Sequence, residues 1–195
     1  MKRRDKVLAS ALVVGVLGGV TALGVFGLFS ATTQNSGNEI TTGTVALSDN
    51  DAGQAMFNIN NAEPGDSWTR CIKVSYSGSL AADVRTYLAS TPGPLTPYLA
   101  LKYEKGTQAT STFPDCTGFT PDAGNGTIYE GPISSALFGN WDTGLAVVPG
   151  NQSAWNPGDS VVLRVTLTLG ADAPNSTQGA STGSATVIWE ARNQA

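Results

Sequence analysis

The chain contains no histidine, and that absence alone removes several chemistries. A Ser-His-Asp triad, a Cys-His pair and a His-x-x-x-His zinc helix all need an imidazole, so none can be built here. Cysteine is nearly absent too, with 2 residues in 195, Cys71 and Cys116. Of the 11 Lys and Arg, four (Lys2, Arg3, Arg4 and Lys6) stand at the extreme N-terminus, next to Asp5. Everything after residue 29 therefore holds 7 basic residues against 14 acidic ones, a net charge of −7. Such a surface repels nucleic acid, and no nucleic-acid partner is expected. Glycine-rich phosphate loops and basic-aromatic stretches are missing. So, almost entirely, is a 3.6-residue apolar period.

What is present begins with a leader. The basic start precedes an uncharged run of 23 residues, Val7 to Phe29, long enough to cross a hydrocarbon layer as a helix with its positive end in the cytoplasm. Gly15, Gly18, Gly19, Gly24 and Gly27 weaken that helix and leave small residues near its far end, where a signal peptidase needs them. The run reads as an export signal cut between Gly27 and Ala31; an uncleaved membrane anchor is the other reading. Residues 1–29 thus form a signal peptide or anchor, and 30–195 one extracellular domain large enough for a two-layer core. Membrane contact is expected only through the leader.

An even cysteine count in an exported chain argues for one disulfide, Cys71 to Cys116, with two free thiols as the alternative. Cys71 shares parity with Thr69, Lys73 and Ser75, opposite to Trp68, Ile72, Val74 and Tyr76, and is expected on the wetter face of its strand. Cys116 falls in the turn-rich stretch Thr112 to Gly118, which can fold over that face.

Beyond the leader, strand-like segments alternate with Gly, Pro, Asn and Asp. They are Glu39 to Leu47, Gln54 to Asn60, Trp68 to Tyr76, Ala82 to Leu88, Tyr98 to Tyr103, Val161 to Leu169 and Ser184 to Glu190. The clearest is Val161 to Leu169, where every odd position is apolar while Arg164, Thr166 and Thr168 alternate with them. The fold class expected is all-β, an antiparallel sandwich of two sheets. One short helix is expected, Ile133 to Phe138, between Pro132 and Gly139. Gly118 to Gly126 and Ala171 to Gly183 read as long exposed connections.

A tetrapeptide recurs: Pro64, Gly65, Asp66, Ser67, and again Pro157, Gly158, Asp159, Ser160. Each copy leads into a strong strand. Pro fixes φ at the first corner of a type II turn and Gly supplies the positive φ at the second, while Asp and Ser bond nearby amides.

Candidate chemistry is sparse. Acidic residues are available for a glycosidase pair, but nothing fixes two of them at a working separation. Asp49 and Asp51 are hard ligands one residue apart and are weighed for calcium against a plain polar turn, which is preferred. Trp68 and Trp189 share parity with aliphatic neighbours and are expected in the core. Trp141 and Trp155 lie in loops and are the two candidates for sugar contacts. Asn125, Asn151 and Asn175 begin glycosylation triplets, a pattern too short to carry weight by itself. No catalytic residue, metal site or cofactor is assigned, and an enzyme is not expected.

The order of features carries a resemblance. A Gly-rich leader ends in Phe29-Ser30; Thr42 to Leu47 follows; Glu63-Pro-Gly-Asp-Ser67 opens a strand that runs to Ser77-Gly-Ser-Leu80; and Trp155-Asn-Pro-Gly-Asp-Ser160 opens the last strong one. This order resembles the TasA and camelysin family of exported Gram-positive proteins, well at both ends and poorly from about Ser90 to Val148. The resemblance implies a jelly-roll-like sandwich, a secreted or cell-surface location, and a leader cut by a signal peptidase of the SipW type. It also implies kinship with subunits of biofilm matrix fibres, although a cysteine pair is no general feature of those subunits. Camelysin has been described as a metalloprotease, an activity these residues do not support. The expected function is a structural subunit whose N-terminal strand, from about Phe29 to Leu47, completes a neighbour's sheet after cleavage. The alternative is a monomeric surface module that binds a glycan or protein.

Overall fold

The computed structural model describes residues 43–89, 92–133 and 139–194. The expected leader, its expected cleavage region and most of the expected N-terminal strand lie outside the described residues, as does the helical candidate beyond Ile133.

Nine strands form among the described residues: β1 (Leu47–Asp49), β2 (Ser67–Tyr76), β3 (Ala82–Ala89), β4 (Leu99–Thr107), β5 (Thr120–Pro121), β6 (Thr127–Pro132), β7 (Leu145–Ala146), β8 (Ser160–Leu169) and β9 (Thr186–Asn193). They make two sheets. The larger runs β1-β2-β8-β4, with β5 and β6 both paired along the far side of β4; the smaller runs β7-β3-β9. Every pairing is antiparallel. The architecture is the all-β, two-sheet sandwich that the alternating pattern implies.

Alternation explains the core. Ile72, Val74 and Tyr76 of β2, Val161, Leu163 and Val165 of β8, and Leu99, Leu101 and Tyr103 of β4 point inward from one sheet. Val84, Leu88 and Ala191 meet them from the other. Each such aliphatic side chain stabilises the fold by roughly 1.5–3 kcal/mol relative to an exposed one. Trp68 and Trp189 are partly buried against this cluster, as their parity requires. Trp189 also donates its indole N–H to the Tyr103 hydroxyl at 3.2 Å.

Several boundaries differ from the sequence pattern. β1 is only three residues long, although Ala46 and Thr44 already accept from Ser77 and Ser79 at 2.9 Å each. Gln54 to Asn60 forms no strand. Ala52 and Asn61 turn the backbone to φ 53° and 57° on either side of it, and Phe57 packs on the core without joining a ladder. β5 lies inside the stretch read as an exposed connection, and β6 and β7 arise where the pattern signals none.

Candidate functional site

The two Pro-Gly-Asp-Ser turns frame the central pair of strands. In the first, Asp66 N–H donates to the Glu63 carbonyl at 3.0 Å, and the Asp66 carboxylate accepts from Glu63 N–H at 2.9 Å. In the second, Asp159 N–H donates to the Asn156 carbonyl at 3.0 Å, and its carboxylate accepts from Asn156 N–H at 2.7 Å. Gly65 and Gly158 stand at φ 98° and 90°, the region that an L side chain resists. Ser67 opens β2 opposite Thr168 and bonds its hydroxyl at 3.0 Å; Ser160 opens β8 opposite Ser75. These residues shape the sheet and touch no cavity chemistry beyond Pro64, which borders a groove described below.

Cys71 and Cys116 are joined by a disulfide with Cα atoms 5.1 Å apart. Cys71 is not on a wet face: it is 2% exposed. Parity places it correctly on the outer side of β2, but the 108–119 loop lies over that side and dries it. Cys71, Arg164 and Glu104 form one row across β2, β8 and β4. The loop brings Cys116 onto the first, and Phe119 onto the second at 4.5 Å from the guanidinium. Arg164 Nε donates to Glu104 at 2.8 Å and holds that carboxyl below its ordinary pKa, against the upward push of burial. Buried Lys105 donates to the Val148 carbonyl at 2.8 Å and to the Gly150 carbonyl, with Asp122 at 3.7 Å, tying the 147–150 segment to β4. This is a structural use of charge.

The two loop tryptophans separate sharply. Trp155 is fully buried, edge-on to Tyr76 at 6.5 Å, with its indole N–H on the Val147 carbonyl at 2.6 Å. The sugar-contact expectation for Trp155 is therefore overturned: backbone bonds to Ala82 in both directions draw its loop into the core. Trp141 lies on the outer side of the small sheet, with the Arg192 and Arg85 guanidinium carbons 4.3 and 5.4 Å from its ring centre. Its ring is already engaged by two cations.

Asp49 and Asp51 do not converge as ligands. Asp49 accepts from Asp51 N–H at 3.2 Å and Asp51 from Gly53 N–H at 2.7 Å, which makes the stretch a hydrogen-bonded turn. Burial, the largest influence, raises the Asp49 pKa.

Two features are open to a partner. A groove of about 450 Å³ lies where the inner face of the large sheet runs past the small one. Trp68, Leu99, Leu167 and Leu169 form its floor, the 57–62 and 173–182 segments form its walls, and no charged side chain lines it. Sequence reading missed it because its walls come from irregular segments distant in the chain. The second feature is β9, an eight-residue strand paired only with β3 among the described residues. On β3, Ala82 and Val84 bond away from β9, so Asp83, Arg85, Tyr87 and Ala89 bond toward it. Their partners are the even residues of β9, which leaves the backbone of Val187, Trp189, Ala191 and Asn193 facing outward.

Residues 2–91 match the family described as camelysin metallo-endopeptidase, over slightly less than half of the chain. Comparison with curated proteins gives no match. The metal in that family's description finds no fitting ligands among the described residues: both cysteines are in the disulfide, and no three Cys, Asp or Glu side chains gather where an ion could sit. The match and the disulfide point to an extracellular or surface protein. Over residues 2–91, which reach just past the end of β3, this chain is similar to the camelysin family.

Proposed function

We propose that the protein is a secreted structural component of a matrix or cell surface, of the biofilm-fibre kind. In this reading a SipW-type signal peptidase removes residues 1–29, and the freed N-terminal strand pairs with the sheet of a neighbouring subunit. The observation that carries it is the outward backbone edge of β9, eight residues long and paired with no strand among the described residues. Unpaired edges of that length accept an added strand through sequence-independent hydrogen bonds. Cleavage would couple assembly to export, because the apolar run otherwise stays in the membrane. Electron microscopy of the cleaved protein tests the reading. Filaments are expected from protein beginning near residue 30 and none from protein beginning at Thr44; filaments of normal appearance from the shorter form remove the donor-strand mechanism.

The monomeric binding module is favoured by a different observation, the uncharged groove. Its volume falls within the ~300–1,000 Å³ typical of small-ligand sites. Asn60, Asn61, Asn175 and Gln178 on its two walls suit a neutral glycan, with Trp68 as the apolar surface. Strict monomers from cleaved protein at high concentration, together with quenching of tryptophan fluorescence by neutral oligosaccharides, would favour this reading.

A further inference from the structure

The edge of β2 that faces away from β8 is closed by three different devices in succession. Near its C-terminal end the closure is ordinary: β1 pairs with Ser75, and Ala46 and Thr44 continue that side at Ser77 and Ser79. β1 leaves the sheet after Asp49, and the next outward amide, Lys73 N–H, donates instead to the Asn50 side-chain carbonyl at 2.8 Å. The one after it, Cys71 N–H, donates to the Pro114 carbonyl at 3.0 Å. Pro114 is two residues from Cys116, whose disulfide holds it there. The two plugs are joined, because Asn50 Nδ2 donates to the Ser111 carbonyl at 3.2 Å. Gln108 braces the same loop from within, donating to the Asp115 and Thr117 carbonyls at 3.0 and 2.8 Å. By alternation the Thr69 and Ser67 amides point the same way, and no strand pairs them on that side among the described residues.

We infer that the loop from Ser111 to Cys116 is an edge guard locked by the disulfide, and that opening the disulfide turns β2 into a docking edge for strand β9 of a second copy of this chain. The stub at Ser67 to Thr69 is too short to hold a partner strand. With the guard released, the free edge runs from Ser67 to Cys71, and to Lys73 when Asn50, tied to the guard at Ser111, leaves with it, comparable to an average strand of ~5–6 residues. Opening is a two-electron reduction: a dithiol reductant attacks one sulfur, the S–S bond breaks, Cys71 and Cys116 leave as thiols, and the reductant departs as its own disulfide. β9 is the partner because its outward backbone row, along a strand of eight residues, is paired with no strand among the described residues. Charge disfavours the like pairing, since the β2 edge bears Arg70 and Lys73, which would meet their own copies in a β2-to-β2 contact, whereas β9 is neutral, its Glu190 paired with its own Arg192 at 2.8 Å. A β2-to-β9 contact joins unlike surfaces and propagates rather than closing. The inference uses the same β9 edge as the donor-strand reading, which concerns the oxidised protein, and differs from it in the strand that docks there.

The test compares the mature protein, as isolated from its host, with and without excess dithiothreitol, by sedimentation and by amide hydrogen exchange. Reduction is expected to accelerate exchange at Cys71 and Lys73 at least tenfold while the Tyr76 amide, bonded to Asp159, stays protected. It is also expected to lower the concentration of half-association at least tenfold. Thr69→Pro removes an outward amide and costs one side-chain bond to β8, from Thr69 to the Thr166 hydroxyl, but no backbone bond of that ladder, and should abolish the gain; Val187→Pro should do the same from the β9 side. A folded, reduced protein with unchanged association overturns the inference, as does a gain that Thr69→Pro leaves intact; a gain blocked by Thr69→Pro alone overturns the choice of β9. Should reduction unfold the chain, Asn50→Ala with the disulfide intact decides: it frees Lys73 N–H and unties Ser111 while the disulfide keeps Pro114 on Cys71, so exchange is expected to rise at Lys73 and not at Cys71, and unchanged exchange at Lys73 or an equal rise at Cys71 refutes the guard.

Discussion

Gly65 and Gly158 are related by the local two-fold axis of the β2–β8 ladder. Gly65 N–H donates to the Leu169 carbonyl at 2.8 Å at one end, and Gly158 N–H donates to the Tyr76 carbonyl at 3.0 Å at the other. Each turn thereby caps the end of the strand opposite the one it starts, since Leu169 N–H returns a bond to Asp66 and Tyr76 N–H to Asp159. The repeated tetrapeptide serves one purpose twice.

A side chain at either glycine meets open space, so the cost of replacing it is conformational alone. Gly65→Val and Gly158→Val are each expected to lower stability by about 1–3 kcal/mol. Urea denaturation of the two variants measures this; wild-type midpoints in both would show that the positive φ is not required.

Trp155 and Trp141 should respond in opposite ways. Trp155→Phe strands the Val147 carbonyl in the core, at a cost of about 1–3 kcal/mol, and Trp155→Ala adds a cavity for about 3–5 kcal/mol in all. Trp141→Ala removes only exterior contacts with Arg85 and Arg192 and should cost about 1 kcal/mol or less. Thermal denaturation ranks them, and equal losses would contradict the burial described.

Glu104 links stability to acid. Its folded-state pKa is depressed, chiefly by the bond from Arg164, so the unfolded chain takes up the proton first as pH falls. Its contribution is complete above the ordinary glutamate value of about 4.3 and is lost as pH drops through the folded value. Glu104→Gln should therefore be less stable than wild type at neutral pH and converge with it below about pH 4. Denaturation midpoints at pH 7 and pH 3 provide the check, and a constant gap between them would exclude the linkage.

The disulfide closes a loop with a sequence separation of 45 residues. Chain-entropy reasoning assigns such a crosslink about 4 kcal/mol. Alkylation of unreduced, denatured protein should modify neither cysteine, and reduction should lower the thermal midpoint by several degrees; an unchanged midpoint would show that the unfolded chain gains little freedom on opening.

Much of the architecture was legible in the residues themselves. β2, β3 and β8 follow the alternation of Trp68 to Tyr76, Ala82 to Leu88 and Val161 to Leu169, because a side chain's face on a strand is fixed by its parity alone. The exclusion of imidazole chemistry is likewise a property of composition, and the reading of the leader rests on sequence only. Parity says which face a residue takes, though, and not what covers that face. Cys71 took the outer side its position dictates and was buried there by a loop from far along the chain. Trp155 looked like an exposed loop residue until its backbone bonds to Ala82 carried it inside. Gln54 to Asn60 had an acceptable pattern but no ladder to join, and the groove exists only where its neighbours meet the 173–182 segment. Those outcomes belong to the tertiary structure, because burial and pairing are relations between segments that no local pattern contains.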